Sequence, residues 1–158
     1  MSATHLKNID VHPTSRQLAS LEGYELRFEK KQSHNPYYGA ANIRKTIPTA
    51  KVFGIVYDFS ERDIAIIDAR EEYPNGYTRE TVSVQLLSGE SIEVMTYIAH
   101  PDQIAENLLP TKSYVGLIAE SVDILPEEYV GLLHEIETLP EHLDINTLIE
   151  SDNKKIKK

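Results

Sequence analysis

Two regions of the chain alternate apolar and polar residues with the two-residue period of a β-strand. Residues 24–29 alternate in this way after a glycine, which predicts a half-buried strand, and the polar stretch 30–39 that follows predicts a loop. The same alternation recurs over 78–86 and, after the turn Ser88-Gly89, over 92–98. These two runs predict a β-hairpin.

Other apolar positions follow different patterns. Residues 52–57 form an uninterrupted apolar run that is rich in β-branched residues, which predicts a central strand covered on both faces. The first twenty residues have the weakest pattern and are interpreted as two short helices, the first of them limited by Pro13.

Three further segments have helical features. Ser60 followed by Asp63 is close to a capping box and predicts a helix that continues to about Glu72. A second helix is predicted over 111–122, and a third begins at Pro126. Because helices and strands are mixed and a hairpin replaces regular βαβ units, the pattern predicts the α+β class.

Glu71 occupies an unusual position in the first of these helices. It lies seven residues after Ile64 and four after Ile67, so it continues the apolar stripe instead of opposing it. Burial and the negative end of the helix dipole would both raise the pKa of this carboxyl, as suits a general acid-base group. In the alternative interpretation, the stripe has left the core by this point and Glu71 is solvated.

Tyrosines supply the other candidate functional groups. The Pro, Asn and Gly residues of 74–76 predict a tight turn that places Tyr77 at a strand entrance, beside the helix end that carries Glu71. Tyr114 falls on the apolar stripe of the predicted helix over 111–122. Either tyrosine can offer its hydroxyl to a substrate or simply pack in the core with a satisfied hydroxyl.

The composition of the chain limits its class. Its 158 residues, 41% hydrophobic and 26% charged, suit one globular domain. The sequence has neither an apolar run long enough to span a bilayer nor the order of a signal peptide, so we expect a soluble, cytoplasmic protein that does not bind membranes. The absence of cysteine excludes thiol catalysis and thiolate metal sites.

Charge and motifs narrow the chemistry further. The net charge of −9 argues against nucleic-acid binding. The six histidines are scattered without a metal-ligand spacing, so no metal is expected. Because phosphate-binding loops and nucleophile elbows are also missing, an enzymatic function would depend on a carboxylate, hydroxyls and backbone amides, and no cofactor is expected.

Eight segments between about residue 21 and residue 137 form an ordered set. They are Gly23-Tyr24-Glu25-Leu26, Ala41-Asn42-Ile43, Val52-Phe53-Gly54-Ile55-Val56-Tyr57, Ile67-Asp68 with Glu71, Gly76-Tyr77-Thr78-Arg79, Tyr97, Pro110-Thr111-Lys112-Ser113-Tyr114 and Leu125-Pro126-Glu127-Glu128-Tyr129. In this order and spacing they resemble the gamma-glutamylcyclotransferase-like family. The resemblance implies a small mixed β-barrel flanked by helices.

The resemblance also implies an activity. Such enzymes convert a γ-glutamyl amino acid or amine into 5-oxoproline and the free amino compound, because the substrate's α-amine attacks its own γ-carbonyl. The family's catalytic glutamate falls on Glu71. Tyr114 and Tyr77 match tyrosines that contact the substrate, with Thr111 in place of the family's serine. Glutathione and γ-glutamyl-amine crosslinks stay open as substrates.

One departure from the family pattern concerns the beginning of the chain. Relatives start with a strand that ends in a Tyr-Gly-Ser-Asn loop, whose amides hold the substrate, and Met1-Ser2 resembles the residues that follow this loop. We therefore expect residues 1–140 to form the domain without its first strand, and 141–158 to form an acidic, then basic extension. A noncatalytic module that binds a small molecule or a protein is the alternative function.

Overall fold

The computed structural model describes residues 3–141 of the chain, and the predicted extension falls outside them except for Glu141. The helices and strands, in chain order, are α1 (Ala3–Asn8), β1 (Ser15–Glu22), β2 (Tyr24–Lys31), β3 (Gly39–Lys45), β4 (Lys51–Asp58), α2 (Glu61–Arg70), β5 (Tyr77–Leu86), β6 (Ser91–Ala99), α3 (Lys112–Ala119) and α4 (Glu127–His134). Short 3-10 turns follow β6 and α3. The α+β class is confirmed.

The strands form a curled antiparallel half-barrel with flanking helices. Four strands pair in the order β4-β1-β5-β6, and β2 pairs with β3 in a separate hairpin. The predicted hairpin over 78–86 and 92–98 is confirmed as β5 and β6, which pair in continuous register. The half-barrel agrees with the barrel that the resemblance predicts.

The second short helix predicted within the first twenty residues is wrong, because Ser15–Glu22 is the strand β1. This strand pairs with β4 along its whole length and with β5 near its end. Leu18 packs against α3 and α4 on one face, whereas Ala19 and Leu21 pack against β5 on the other. Apolar residues on both faces hide the two-residue period, so tertiary pairing decides the structure here.

Strand β4 is confirmed, but its predicted central position is wrong for the part of the chain that the structure describes. It pairs with β1 alone and forms one edge of the four-stranded sheet, while β6 forms the other. An apolar groove of about 570 Å³ lies between these edges, with Ile55, Val94 and Ile67 among its walls. The additional strand implied by the resemblance stays a prediction, and these edges offer the backbone groups that a strand would need.

The helix signals are confirmed with small shifts. The Ser60 hydroxyl accepts a hydrogen bond from the Asp63 amide and caps α2. Thr111 caps α3 in the same way, and this helix ends three residues earlier than predicted, before a 3-10 turn. Pro126 is the cap residue of α4 and not its first helical residue. Helices α3 and α4 pack on β1 through Leu18, Val115 and Leu133.

A β-bulge distinguishes the hairpin of β2 and β3. Arg27 lies opposite Asn42, whereas Lys30, three residues later, lies opposite Ala40, only two residues earlier. The extra residue on β2 breaks the alternation of inward and outward side chains, so Glu29 and Lys30 are both buried although they are adjacent in sequence.

Gly39 allows the backbones of β2 and β3 to lie close together at this bulge. A Cβ at this position would lie 2.1 Å from the carbonyl oxygen of Phe28. This contact is with backbone, which cannot move away as a flexible side chain would. Any larger residue must therefore displace β2 or β3.

Gly39→Ala should consequently destabilise the protein by about 1 to 3 kcal/mol through overpacking. The matched control is Gly54→Ala, since a Cβ there would meet nothing within 4 Å. Urea denaturation of both variants measures the effect. A Gly39→Ala free energy of unfolding within about 0.5 kcal/mol of the Gly54→Ala value would contradict this account.

Candidate functional site

Helix α2 carries the candidate catalytic carboxylate at its C-terminal end. Ile67 is 3% exposed and anchors the apolar face of the helix. One turn later, Glu71 is the C-cap residue, and its backbone N–H donates to the Ile67 carbonyl at 2.8 Å. The stripe therefore continues inward as far as Glu71, whose side chain is partly buried.

Burial raises the pKa of the Glu71 carboxyl, while the positive charges of Lys30 and Arg70 oppose this rise. The direction is the one predicted from the sequence pattern, and the alternative of a fully solvated Glu71 is wrong. A carboxyl whose pKa lies above its ordinary value can both accept and return a proton nearer to neutral pH.

The turn after α2 places Tyr77 beside Glu71. The Glu71 carbonyl accepts a hydrogen bond from the Tyr77 amide at 3.2 Å, and the Gly76 amide donates to the Glu72 carbonyl at 2.7 Å. A Cβ on Gly76 would lie 2.7 Å from the Glu71 carbonyl oxygen, so the turn needs glycine at this position. Tyr77 is the first residue of β5, as the sequence predicts.

Tyr77 and Tyr114 meet at the peptide groups of Ala41 in β3. The Tyr77 hydroxyl donates to the Ala41 carbonyl at 2.7 Å. The Ala41 amide in turn donates to the Tyr114 hydroxyl at 3.0 Å. Burial raises the pKa of both phenols, and the charge of nearby Glu71 raises it further, so both stay protonated at neutral pH.

Asn42 fixes the strand on which the two tyrosines converge. Its side-chain oxygen accepts from the Ala99 amide at 2.9 Å, and its side-chain nitrogen donates to Glu29 at 2.8 Å. Arg44 pairs with the other oxygen of Glu29 at 2.9 Å. Sequence reasoning missed this role, although an asparagine between Ala41 and Ile43 was a visible polar interruption of an apolar segment.

Sequence reasoning also missed Lys30, which it assigned to a polar loop. Lys30 belongs to β2 and is only 4% exposed. Its ammonium lies 3.3 Å from a carboxylate oxygen of Glu72 and 5.2 Å from the centre of the Tyr77 ring. The site therefore holds a buried cation beside Glu71 and Tyr77.

Asp68, one turn before Glu71, belongs to a different cluster. Its carboxylate accepts hydrogen bonds from Arg79 at 2.9 Å and from the Tyr97 hydroxyl at 2.7 Å. Desolvation works in the opposite direction, but these two bonds lower the pKa of Asp68 overall. Burial and the bond to Asp68 raise the pKa of Tyr97 to about 12. The pKa of Asp68 is thus lowered, whereas the pKa of Glu71 is raised.

Residues 3–141 contain neither a candidate metal centre nor a helix suited to span a membrane. No group of three His, Cys, Asp or Glu side chains is placed to hold a metal ion. None of the helices described above is long and apolar enough to cross a membrane.

Solved structures with similar folds were found. A gamma-glutamyl cyclotransferase aligns with 98% of this chain and 92% of its own at a TM-score of 0.74 and 21% identity. An uncharacterized protein from Homo sapiens aligns with 96% of this chain and 89% of its own at a TM-score of 0.72 and 24% identity. A yeast gamma-glutamyl cyclotransferase specific to glutathione aligns with 78% of this chain and 87% of its own at a TM-score of 0.59 and 16% identity. These likenesses establish the fold.

Sequence comparison adds a relative and a family. A lysine–tRNA ligase of Ureaplasma urealyticum is 29% identical over 136 residues, which are 83% of this chain but 26% of the ligase. The chain thus spans about a quarter of the length of that relative. The family model described as gamma-glutamyl cyclotransferase, AIG2-like, matches residues 2–116, well over half of the sequence. The chain therefore belongs to the gamma-glutamyl cyclotransferase, AIG2-like family.

Proposed function

We propose that this protein is a γ-glutamyl cyclotransferase that converts a γ-glutamyl amino acid or amine into 5-oxoproline and the free amino compound. The observation that carries this proposal is the partly buried carboxyl of Glu71, with its raised pKa, beside two tyrosine hydroxyls anchored on one strand. Membership of the family supplies the reaction class.

Glu71 transfers the protons in this mechanism. Its carboxylate takes a proton from the substrate's α-ammonium, and the freed nitrogen attacks the γ-carbonyl carbon to close a five-membered ring. The old amide C–N bond then breaks. Two protons leave the α-nitrogen in all, and both end on the leaving nitrogen, so no water, oxidant or cofactor is consumed. Holding the folded substrate is most of the catalytic task, because the attack is intramolecular.

The two tyrosines have different hydrogen-bonding capacities. Tyr114 accepts the Ala41 amide proton, and no acceptor within residues 3–141 takes its own O–H, which can therefore donate to the oxygen that becomes negative during ring closure. Tyr77 donates its proton to the Ala41 carbonyl, so its oxygen is left to accept from the α-ammonium or the leaving amine. We therefore assign oxyanion stabilisation to Tyr114 and amine positioning to Tyr77.

Three γ-glutamyl compounds form a panel of substrates to test, and the names of two relatives suggest two of them. Glutathione is included because the yeast structure is named for it. The γ-amide between glutamate and the lysine side chain is included because its cyclisation releases lysine, the amino acid that the Ureaplasma ligase is named for. A γ-glutamyl dipeptide such as γ-glutamylalanine completes the panel.

Wild-type protein is expected to release 5-oxoproline from at least one member of this panel, and Glu71→Gln is expected to lower kcat by at least about 100-fold. The matched control is Glu80→Gln, an exposed glutamate of β5, which should retain wild-type activity. Chromatographic detection of 5-oxoproline measures both. No product from any substrate would reject the proposed function, and full activity of Glu71→Gln would reject the role of Glu71.

The same variant should also change the pH dependence of stability. Burial raises the pKa of Glu71 in the folded protein above the ordinary value of 4.5, because folding disfavours the charged carboxylate. Below about pH 4.5 Glu71 is protonated in both states and the folded protein incurs no such cost. Stability is then lost as the pH rises through the folded-state pKa. Glu71→Gln should therefore melt at a higher temperature than wild type near neutral pH, and the difference should vanish below about pH 4.5. A lower melting temperature near neutral pH would instead indicate a structural role for the carboxylate.

Tyr114→Phe should lower kcat by about 10- to 100-fold, as expected for loss of one hydrogen bond to a charged group. The matched control is Tyr129→Phe, since Tyr129 is partly buried, burial raises its pKa as it does that of Tyr114, and its ring packs against Phe53 at 5.3 Å, outside the site. Both variants should lose about 1 kcal/mol of stability. Steady-state kinetics and thermal melting separate the effects, and equal losses of kcat in the two variants would contradict the assignment.

A further inference from the structure

The last turn of α2 carries a second carboxylate in an unfavourable position. Asp68 lies three residues before Glu71, near the negative end of the helix dipole, which disfavours an ionised group. Its carboxylate nevertheless accepts hydrogen bonds from both Nε and Nη2 of Arg79, and a third, at 2.7 Å, from the Tyr97 hydroxyl. An arginine fork with a further donor on one carboxylate is strong and directional. The mechanism proposed above uses none of these three side chains.

This cluster joins the end of α2 to both strands of the β5–β6 hairpin. Arg79 and Tyr97 lie directly opposite each other in the register of the two strands. The turn after the helix is attached at the same place, because the Tyr73 amide donates to the Asp68 carbonyl at 2.9 Å. The Arg79 guanidinium also lies 4.9 Å from the centre of the Tyr73 ring. The helix end, the turn and the hairpin therefore meet at Asp68.

Apolar packing holds the same helix in a different way. Ile67 packs in one cluster with Leu6 and Val11. Such packing is non-directional, so it keeps the helix against its neighbours without fixing the rotation of the helix about its own axis. The ends of helices also fray unless other contacts hold them. A directional fork in the last turn fixes that rotation, and with it the direction in which the Glu71 side chain leaves the helix.

On the basis of the proposed function, we propose that the hydrogen bonds of Asp68 to Arg79 and Tyr97 position the acid-base carboxyl of this enzyme. The helix end has a second attachment to β5, since the Glu71 carbonyl accepts from the Tyr77 amide at 3.2 Å. Together the two attachments hold the last turn against one strand at both of its ends. The three side chains of the cluster act through Glu71 and need not touch the substrate. Precise placement matters, because a displacement of about 1 Å can cost about 100-fold in rate.

Two substitutions weaken the cluster without changing its charge. Arg79→Lys keeps the positive charge but cannot form the fork, and Tyr97→Phe removes the third hydrogen bond. The matched control is Arg16→Lys, because Arg16 also forms a fork, with Asp123 at 2.9 and 3.2 Å, and its side chain is 33% exposed, as is that of Arg79. The control fork joins β1 to the 3-10 turn after α3, outside the candidate site. Since net charge is the same in all three variants, a difference between them reports geometry.

The first measurement needs no turnover. Titration of the carboxyl carbon resonances by NMR gives the pKa of Glu71, whose signal is identified by its absence from Glu71→Gln. In wild type this pKa should lie above 4.5, because the carboxyl is partly buried. It should move towards 4.5 in Arg79→Lys and in Tyr97→Phe, since a displaced carboxyl is more solvated, and should keep its wild-type value in Arg16→Lys.

The second measurement is steady-state kinetics with a substrate of the panel that wild type converts. Arg79→Lys and Tyr97→Phe should each lower kcat about 10-fold and leave KM within about threefold of wild type, because the acid-base group is displaced while the groups that bind substrate are unchanged. Arg16→Lys should keep the wild-type kcat. Thermal melting establishes that each variant is folded, and Tyr97→Phe decides the test if Arg79→Lys does not fold.

The possible outcomes separate this inference from the proposed function. An ordinary Glu71 pKa in wild type, or a raised pKa that persists in folded Arg79→Lys and Tyr97→Phe, would overturn the positioning role whatever the activity. An equal change of this pKa in Arg16→Lys would overturn it as well. A pKa that falls only in the two cluster variants of a protein without turnover would support the positioning of Glu71 and reject the cyclotransferase function.

Discussion

The requirement that buried backbone groups be hydrogen-bonded determines much of this site. β3 is paired with β2 on one side, and on its other side the N–H and C=O of Ala41 are satisfied by side chains instead of by another strand. Those side chains come from α3 and β5, so one residue of β3 joins three elements. The same requirement determines whether each tyrosine hydroxyl donates or accepts a hydrogen bond at Ala41. Two identical side chains can therefore offer different hydrogen-bonding groups to a substrate.

A second constraint is the contrast between two adjacent carboxylates. Burial raises the pKa of Glu71, whereas hydrogen bonds from Ser33 and Lys30 lower that of Glu72. Glu72 also has a positive φ of 55°, whereas the φ of Glu71 is −82°, so the two residues have different backbone conformations. Neighbours in sequence thus enter different environments, and one stays charged while the other can exchange a proton. The Glu72 carboxylate pairs with the Lys30 ammonium at 3.3 Å, and the positive charge of Lys30 opposes the rise of the Glu71 pKa.

The sequence predicted those features that depend on local pattern. Helical spacing identified Glu71, and the turn residues of 74–76 located Tyr77, because both signals lie within ten residues of one another. Lys30 was missed because it depends on a bulge, which changes which side of the strand a residue faces and leaves no mark in the hydrophobic pattern. Strand β1 was mistaken for a helix because apolar residues on both of its faces remove the period of two. The edge position of β4 depends on partners far away in the chain.

The two ends of α2 illustrate how the fold offsets the cost of its site. At the N-terminal end, the Ser60 cap and the acidic first-turn residues Glu61 and Asp63 suit the positive end of the helix dipole. At the other end, Glu71 places a carboxylate against the negative end of the dipole and in a partly buried position, which opposes its ionisation. A helix optimised for stability alone would carry a cation or a glycine there. The well-capped beginning and the buried Ile67 hold the helix in place, so that its last residue can keep a chemically useful but unfavourable position.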